Sequence, residues 1–235
     1  MIRTGLIAST LALAAMAGIM FWAIGAMPTG VEIPLHWNLD GAVDRYGSCT
    51  EALWVLALIP GSALFTTILL SVVPSLDPRK GNLSKSAKLY TLVWVATMIL
   101  LTFIHAGMAW SFVKGATVPE INTIPFVRFI IAGSAALFLI LGNYMPKTRA
   151  NWFLGIRTPW TLSSDVTWEK THRLGGRLFM LAGVLGIIGA FTLKGLWLAF
   201  LLPGMAIPIA AFCMVYSYMV WRKAEDKHVS SDYIV

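Results

Sequence analysis

The chain has 235 residues, of which 57% are hydrophobic and 12% charged, and its formal charge is +7. A soluble domain carries about 25% charged residues, so this composition excludes one and requires an integral membrane protein. The positive charge needs no nucleic acid, because cytoplasmic-face lysines and arginines and their attraction to anionic lipid account for it.

Runs of about 18 or more mostly apolar residues mark spanning helices, because lipid offers backbone N–H and C=O groups no partners and a helix satisfies them internally. Six such runs lie at about 5–26, 52–73, 88–111, 124–142, 174–193 and 197–220. The fold expected is therefore an all-α membrane protein of six transmembrane helices with one structured loop on each face. The first run, Leu6 to Met27, is longer than the roughly 7 to 15 residues of a signal-peptide core, which favours an uncleaved anchor helix. Met27 and Pro28 close it, and the segment from Glu32 to Gly47 that follows is polar.

In that segment His36, Asp40 and Asp44 are capable of ligating a metal, and a helix would put them on one face. Pro34 and Gly41 argue against a regular helix, so no metal or cofactor is expected. Instead Asn38, Asp40 and Gly41 predict a turn closed by side-chain to backbone hydrogen bonds, with Trp37 at the headgroup level. The second run contains Pro60-Gly61, where the missing N–H favours a kink. The connection from Pro74 to Lys85 reads as a short polar hairpin. In the third run His105 sits deep enough to be neutral or to face a polar bundle interior.

Between the fourth and fifth runs lies a basic, aromatic stretch, Asn143 to Gly176, that suits neither a lipid-facing helix nor a disordered linker. Its core runs Asn151-Trp152-Phe153-Leu154-Gly155-Ile156-Arg157-Thr158-Pro159-Trp160-Thr161-Leu162. Ser163, Ser164 and Asp165 supply helix N-cap candidates. A helix is expected to start there, to run along the membrane surface, and to bend into the bilayer at Gly175-Gly176. Glu169, Arg173 and Arg177 would share one face of it. Two readings of this stretch stand side by side. In one, Arg157, Arg173 and Arg177 bind lipid phosphate while Trp152, Trp160 and Trp168 form an interfacial belt. In the other, Arg157, Trp160, His172 and Arg173 frame a docking pocket, with Asn151, Gly155, Thr158, Pro159 and Trp168 completing the motif. Pro203 and Pro208 fall in the last run and predict kinks there.

Lysines and arginines decide orientation. Arg79, Lys80, Lys85 and Lys88 surround the second connection, Lys147 to Arg177 the fourth, and Arg222, Lys223 and Lys227 follow the last run, whereas the other side holds Arg45, Lys114, Arg128 and Lys194. Both termini are thus expected in the cytoplasm. The chain divides into halves at 1–111 and 112–235, each of three helices, without a convincing internal repeat. No intramembrane acidic pair, zinc-binding helix motif, phosphate-binding loop or nucleophile elbow is present, so an enzyme is not expected.

The run Gly155-Ile156-Arg157-Thr158-Pro159-Trp160-Thr161-Leu162, followed by Trp168, Thr171-His172-Arg173 and Gly175-Gly176, resembles the signature of the SdpI family of bacterial toxin-immunity membrane proteins. Pro34, His36, Trp37, Asn38 and Gly41 resemble the motif of a small uncharacterised domain that commonly precedes the immunity region. The resemblance implies a multi-pass protein of the bacterial cytoplasmic membrane that protects against a secreted membrane-active peptide toxin. In some members it also implies signalling, by holding a cytoplasmic transcriptional repressor at the membrane. The external binding residues would then be His36, Trp37, Asn38, Asp40, Gly41 and Asp44, facing the toxin. A small transporter or membrane enzyme, with a polar path joining the two loops through His105 and His172, is the alternative.

Overall fold

A computed structural model describes residues 1–78, 80–118 and 121–227; Arg79, one of the charges used to orient the chain, lies outside them. Six helices are long and apolar enough to cross a membrane. They are α1 (Ile2–Ala26), α2 (Cys49–Leu76), α4 (Ala87–Gly115), α5 (Ile124–Tyr144), α7 (Asp165–Thr192) and α9 (Leu201–Arg222). Three short helices, α3 (Lys80–Lys85), α6 (Pro159–Leu162) and α8 (Gly195–Ala199), sit in the connections. The connection expected as a hairpin from Pro74 is thus partly helical, since Pro74 lies inside α2 and Lys80–Lys85 form α3. Pro203 falls in the first turn of α9, where a missing N–H removes no intrahelical bond, and Pro208 lies in the interior.

The helices pack as two groups of three. Helix α1 packs on α2 and α4, α7 packs on α5 and α9, and α4 against α5 joins the groups. The first group encloses Met16, Trp94 and Met98, all buried. A polar knot lies within it: the Trp94 indole donates to Ser9 Oγ at 2.9 Å, and Thr67 Oγ1 lies 2.9 Å from the same oxygen. His105 is also fully buried here. Its ring lies beside the carbonyls of Met16 and Leu56 without reaching hydrogen-bond geometry. Pro60 has no N–H, so the Leu56 carbonyl lacks its usual donor four residues on.

The fifth helix starts at Asp165, where the N-cap candidates placed it, and continues through Gly175-Gly176 to Thr192. These glycines allow close approach. A Cβ on Gly176 would lie 2.7 Å from the Gly142 carbonyl of α5, and one on Gly142 would lie 2.6 Å from the Gly176 carbonyl. Lipid provides no hydrophobic drive to bring helices together, so small residues that let backbones touch are the means of association.

An added side chain at position 176 must therefore push the backbones apart, whereas Gly18 has open space around it. Gly176→Val should lower stability by about 1–3 kcal/mol, as overpacking does, and Gly18→Ala should leave it unchanged or raise it by about 0.5–1 kcal/mol. Thermal unfolding of the purified variants in one detergent checks the pair.

Candidate functional site

The connection between α5 and α7 opens with a 3₁₀ turn, Met145–Lys147, and then has no regular backbone until α6. Its peptide groups need partners from elsewhere, because buried backbone that is not hydrogen-bonded is costly. Asn151 supplies most of them. It is fully buried, and its Oδ1 accepts from the N–H groups of Phe153 (3.0 Å) and Leu154 (2.7 Å). Its Nδ2 donates to the carbonyls of Arg149 (2.8 Å) and Leu154 (3.2 Å). Both amide N–H bonds and the oxygen are thus engaged.

His172, one turn after Trp168 on α7, fixes the next part of the loop. Its ring is fully buried and stacks on Trp168, with centroids 3.9 Å apart and planes 18° apart. Nδ1 lies 2.8 Å from the Trp168 carbonyl, which only accepts, so Nδ1 carries the proton. Nε2 therefore accepts from the Ile156 N–H at 2.9 Å. Only one neutral tautomer fits both bonds. Gly155 makes this contact feasible: its φ is +108°, and a Cβ there would lie 2.3 Å from His172 Nε2. The Trp168 indole holds the start of the loop by donating to the Thr148 carbonyl at 3.2 Å.

The end of the loop is a capping box. Thr158 Oγ1 accepts from the Thr161 N–H and Thr161 Oγ1 from the Thr158 N–H, with Pro159 in the first helical position. Thr158 Oγ1 also lies 3.0 Å from Ser217 Oγ on α9, and Trp160 rests against Tyr218. Ser164 caps α7, and the C-terminal tail folds back onto the same helix start. There Asp226 accepts from Ser164 Oγ at 2.6 Å and from the Val166 N–H at 3.0 Å. Burial alone would raise the Asp226 carboxyl, but these bonds, with those from the Asp165 and Asp226 N–H groups, outweigh it and hold it below the ordinary value. Ser217 and Asp226 escape a motif search because each acts as a single partner from a distant segment.

The same loop also reaches the other helix group. Asn82 donates to the Ala150 carbonyl at 2.9 Å, the Arg149 N–H donates to Ser86 Oγ at 3.3 Å, and Phe153 and Leu154 pack on the core around Tyr90 and Trp94. All three connections rich in lysine and arginine therefore meet at one end of the bundle.

Of the expected motif residues, Asn151, Thr158, Trp168 and His172 are buried and hold the loop together. Arg157, Pro159 and Arg173 are exposed. Arg157 donates to the Trp152 carbonyl at 2.8 Å, and Arg173 pairs with Glu169 at 3.5 Å. An open pocket framed by Arg157, Trp160, His172 and Arg173 is thus not what the side chains form: His172 is sealed under Gly155 and contributes nothing to the surface. Trp168 is likewise core rather than interfacial belt. A polar path through His105 and His172 meets the same difficulty, since neither ring touches solvent.

At the other end, residues expected as a turn form a β-hairpin, a local exception to an all-helical chain. Strand β1 (Ile33–Trp37) pairs antiparallel with β2 (Val43–Gly47). Asn38 Oδ1 accepts from the N–H groups of Asp40 and Ala42, both at 3.0 Å, and Gly41 has φ +83°. Ile33 and Leu35 are buried against the first helix group, and Trp37 stacks on Phe112 at 6.2 Å. His36 Nδ1 and Asp44 Oδ1 face each other across the strands at 2.6 Å, both exposed. The hairpin passes directly into α2, whose start is closed by a Ser48–Glu51 capping box.

Six spanning helices with an ordered loop at one end and a hairpin at the other define a multi-pass membrane protein of the kind found in bacterial membranes. Residues 147–217 match the SdpI/YfhL protein family, and residues 11–59 match a domain of unknown function, DUF1648. The C-terminal part of the chain, residues 147–217, is thus similar to the SdpI/YfhL family. The chain is 25% identical over 99 residues to a protein named "Immunity protein SdpI" from Bacillus subtilis (strain 168), an alignment that takes in 41% of this chain and 47% of that relative. The chain thus matches about half the length of that curated relative. No solved structure matches it. The family match contains the whole ordered loop together with α7 and most of α9, and the DUF1648 match contains the hairpin.

Two outcomes follow. His172→Phe keeps the stacking but strands the Ile156 N–H, so it should destabilise the protein by about 1–3 kcal/mol, the cost of an unsatisfied buried donor, in thermal unfolding. Asp226 should give a pH signature. A depressed carboxyl contributes stability that is present above its ordinary pKa and is lost as pH falls through the depressed one. Asp226→Asn should therefore be less stable than wild type near neutrality and converge with it as pH falls through the depressed pKa, below the ordinary carboxylate value. A gap that stays constant across that range would contradict the assignment.

Proposed function

We propose that this chain is a non-enzymatic immunity protein of the bacterial cytoplasmic membrane, protecting the cell from a secreted membrane-active peptide. The observation that carries the proposal is that the family match falls on the ordered loop and the two helices, α7 and α9, that hold it. The relative named an immunity protein supports the same reading. In this reading, the two halves, 1–111 and 112–235, are held together at the basic end, and the loop is a structural lock rather than a ligand pocket.

Orientation follows from charge, with the basic end in the cytoplasm and the hairpin outside. The hairpin then offers the toxin a polar edge made by His36, Asn38, Asp40 and Asp44, while Trp37 and Gly41 fix its shape. On the inside, Trp152, Arg157 and Arg173 remain exposed for anionic lipid, and for a repressor if this chain signals through one. That signalling rests on the resemblance alone.

The test is survival of a sensitive bacterium that expresses the chain and is exposed to the peptide against which SdpI protects. Wild type should protect. His36→Ala and Asp44→Asn should reduce survival about tenfold at unchanged membrane abundance, the size expected from losing one charge-assisted contact of about 1.4 kcal/mol. Survival no better than an empty-vector control would overturn the proposal. An impermeant thiol reagent should label a cysteine placed at position 36 in intact cells and leave one at position 157 unlabelled.

A further inference from the structure

The hairpin end holds a second feature, which shares Asp40 with the polar edge proposed to face the toxin. A cleft of about 670 Å³ opens between the hairpin turn, the start of α5 and the link from α7 to α8. It is lined by Asp40 from the hairpin, by Arg128 from α5 and Lys194 from the link, and by apolar side chains that include Ile124 and Leu198. Among the described residues neither cation is ion-paired, and Asp40 is not paired either. Arg128 is held in place, donating through Nη1 to the Ala190 carbonyl at 2.7 Å and through Nη2 to the Leu193 carbonyl at 2.9 Å. A guanidinium has five N–H donors, so three stay available. Lys194 is exposed and makes no cap bond to α8.

The depth of this cleft is marked by its neighbours. The cleft lies at the first turn of α5 and just past the last turn of α7, where the spans end. Trp197 (78% exposed), Leu196 and Phe200 project from α8 and the start of α9 without protein partners over most of their surface. Exposed aromatic and aliphatic side chains at helix ends belong at the level of lipid headgroups. A cleft at that level lined by two cations and one carboxylate matches a group that carries a phosphate and, a few atoms away, an ammonium.

We propose that the cleft binds the headgroup of a phosphatidylethanolamine, with Arg128 and Lys194 on its phosphate and Asp40 on its ammonium. Phosphate recognition by an arginine with free N–H groups is a strong, charge-assisted contact. Selectivity comes from Asp40, because a primary ammonium donates hydrogen bonds to a carboxylate, a trimethylated one cannot, and a glycerol headgroup has no positive charge. A lipid seated there would join the hairpin of the first half to the helix ends of the second, at the end opposite the ordered loop.

The test uses delipidated full-length protein in detergent, titrated with short-chain phosphatidylethanolamine, phosphatidylcholine or phosphatidylglycerol, with bound lipid counted by native mass spectrometry. Wild type should bind the ethanolamine lipid about tenfold more tightly than the choline lipid, the factor corresponding to one charge-assisted hydrogen bond. Lys194→Gln should weaken all three lipids. Asp40→Ala should abolish the preference while leaving the hairpin closed, since Asp40 enters the turn through its backbone N–H alone. Equal affinity for the three lipids in wild type, or a preference that persists in Asp40→Ala, overturns the proposal. So does full displacement of the lipid by millimolar inorganic phosphate, which would make the cleft a free-anion site. None of these readings depends on toxin protection, so this proposal and the immunity proposal fail separately.

Discussion

The hydrogen bond from the Ile156 N–H to His172 Nε2 is the contact on which the basic end of the molecule depends. A loop of irregular backbone placed among spanning helices has peptide groups that neither lipid nor its own geometry satisfies. His172 answers this by using both ring nitrogens in opposite senses, donating a hydrogen bond from Nδ1–H to the Trp168 carbonyl of its own helix and accepting one at Nε2 from the loop. Asn151 does the same for the preceding turn with its amide. Together they convert an eleven-residue stretch, 148–158, into a rigid part of the bundle without any secondary structure.

That rigidity has a consequence for how the two helix groups are held. Within the bundle they meet through α4 and α5, but at the basic end the loop touches both: Phe153 and Leu154 lie on the first group, and His172, Ser217 and Asp226 tie the loop and the start of α7 to the second. A change at His172 therefore reaches the relation between the halves as well as the loop. The hairpin end is built on another principle. There the backbone satisfies itself through strand pairing, and the tip approaches the second group through Gly41 beside Ile124.

The spans were legible because a bilayer imposes length and apolarity directly on composition. In the fifth, hydropathy places the apolar run from about residue 174 and Ser163 to Asp165 announced the helix start; the polar turns between them are helical, with Trp168, Thr171 and His172 buried in the protein. The hairpin was half legible. Asn38 and Gly41 announced its turn, but Val43 to Gly47 is short and largely exposed, with no apolar alternation to announce a strand. In the motif, sequence showed which residues belong together and not which way they face. Arginine, tryptophan and histidine suggest a ligand pocket by their chemistry, and burial separates them into His172 and Trp168 inside and Arg157 and Arg173 outside. Ser217 and Asp226 lie about 60 residues from their partners, beyond any local pattern.

The central claim, that the family motif is a locked structural element closed by Asn151 and His172, is tested most directly by amide hydrogen exchange in the intact protein in lipid nanodiscs. The account predicts that the amides of Phe153, Leu154 and Ile156 exchange as slowly as those of α7, and that His172→Phe releases the Ile156 amide while leaving α1 unchanged. Exchange of these three amides at the rate of an open loop in the wild-type protein would contradict it.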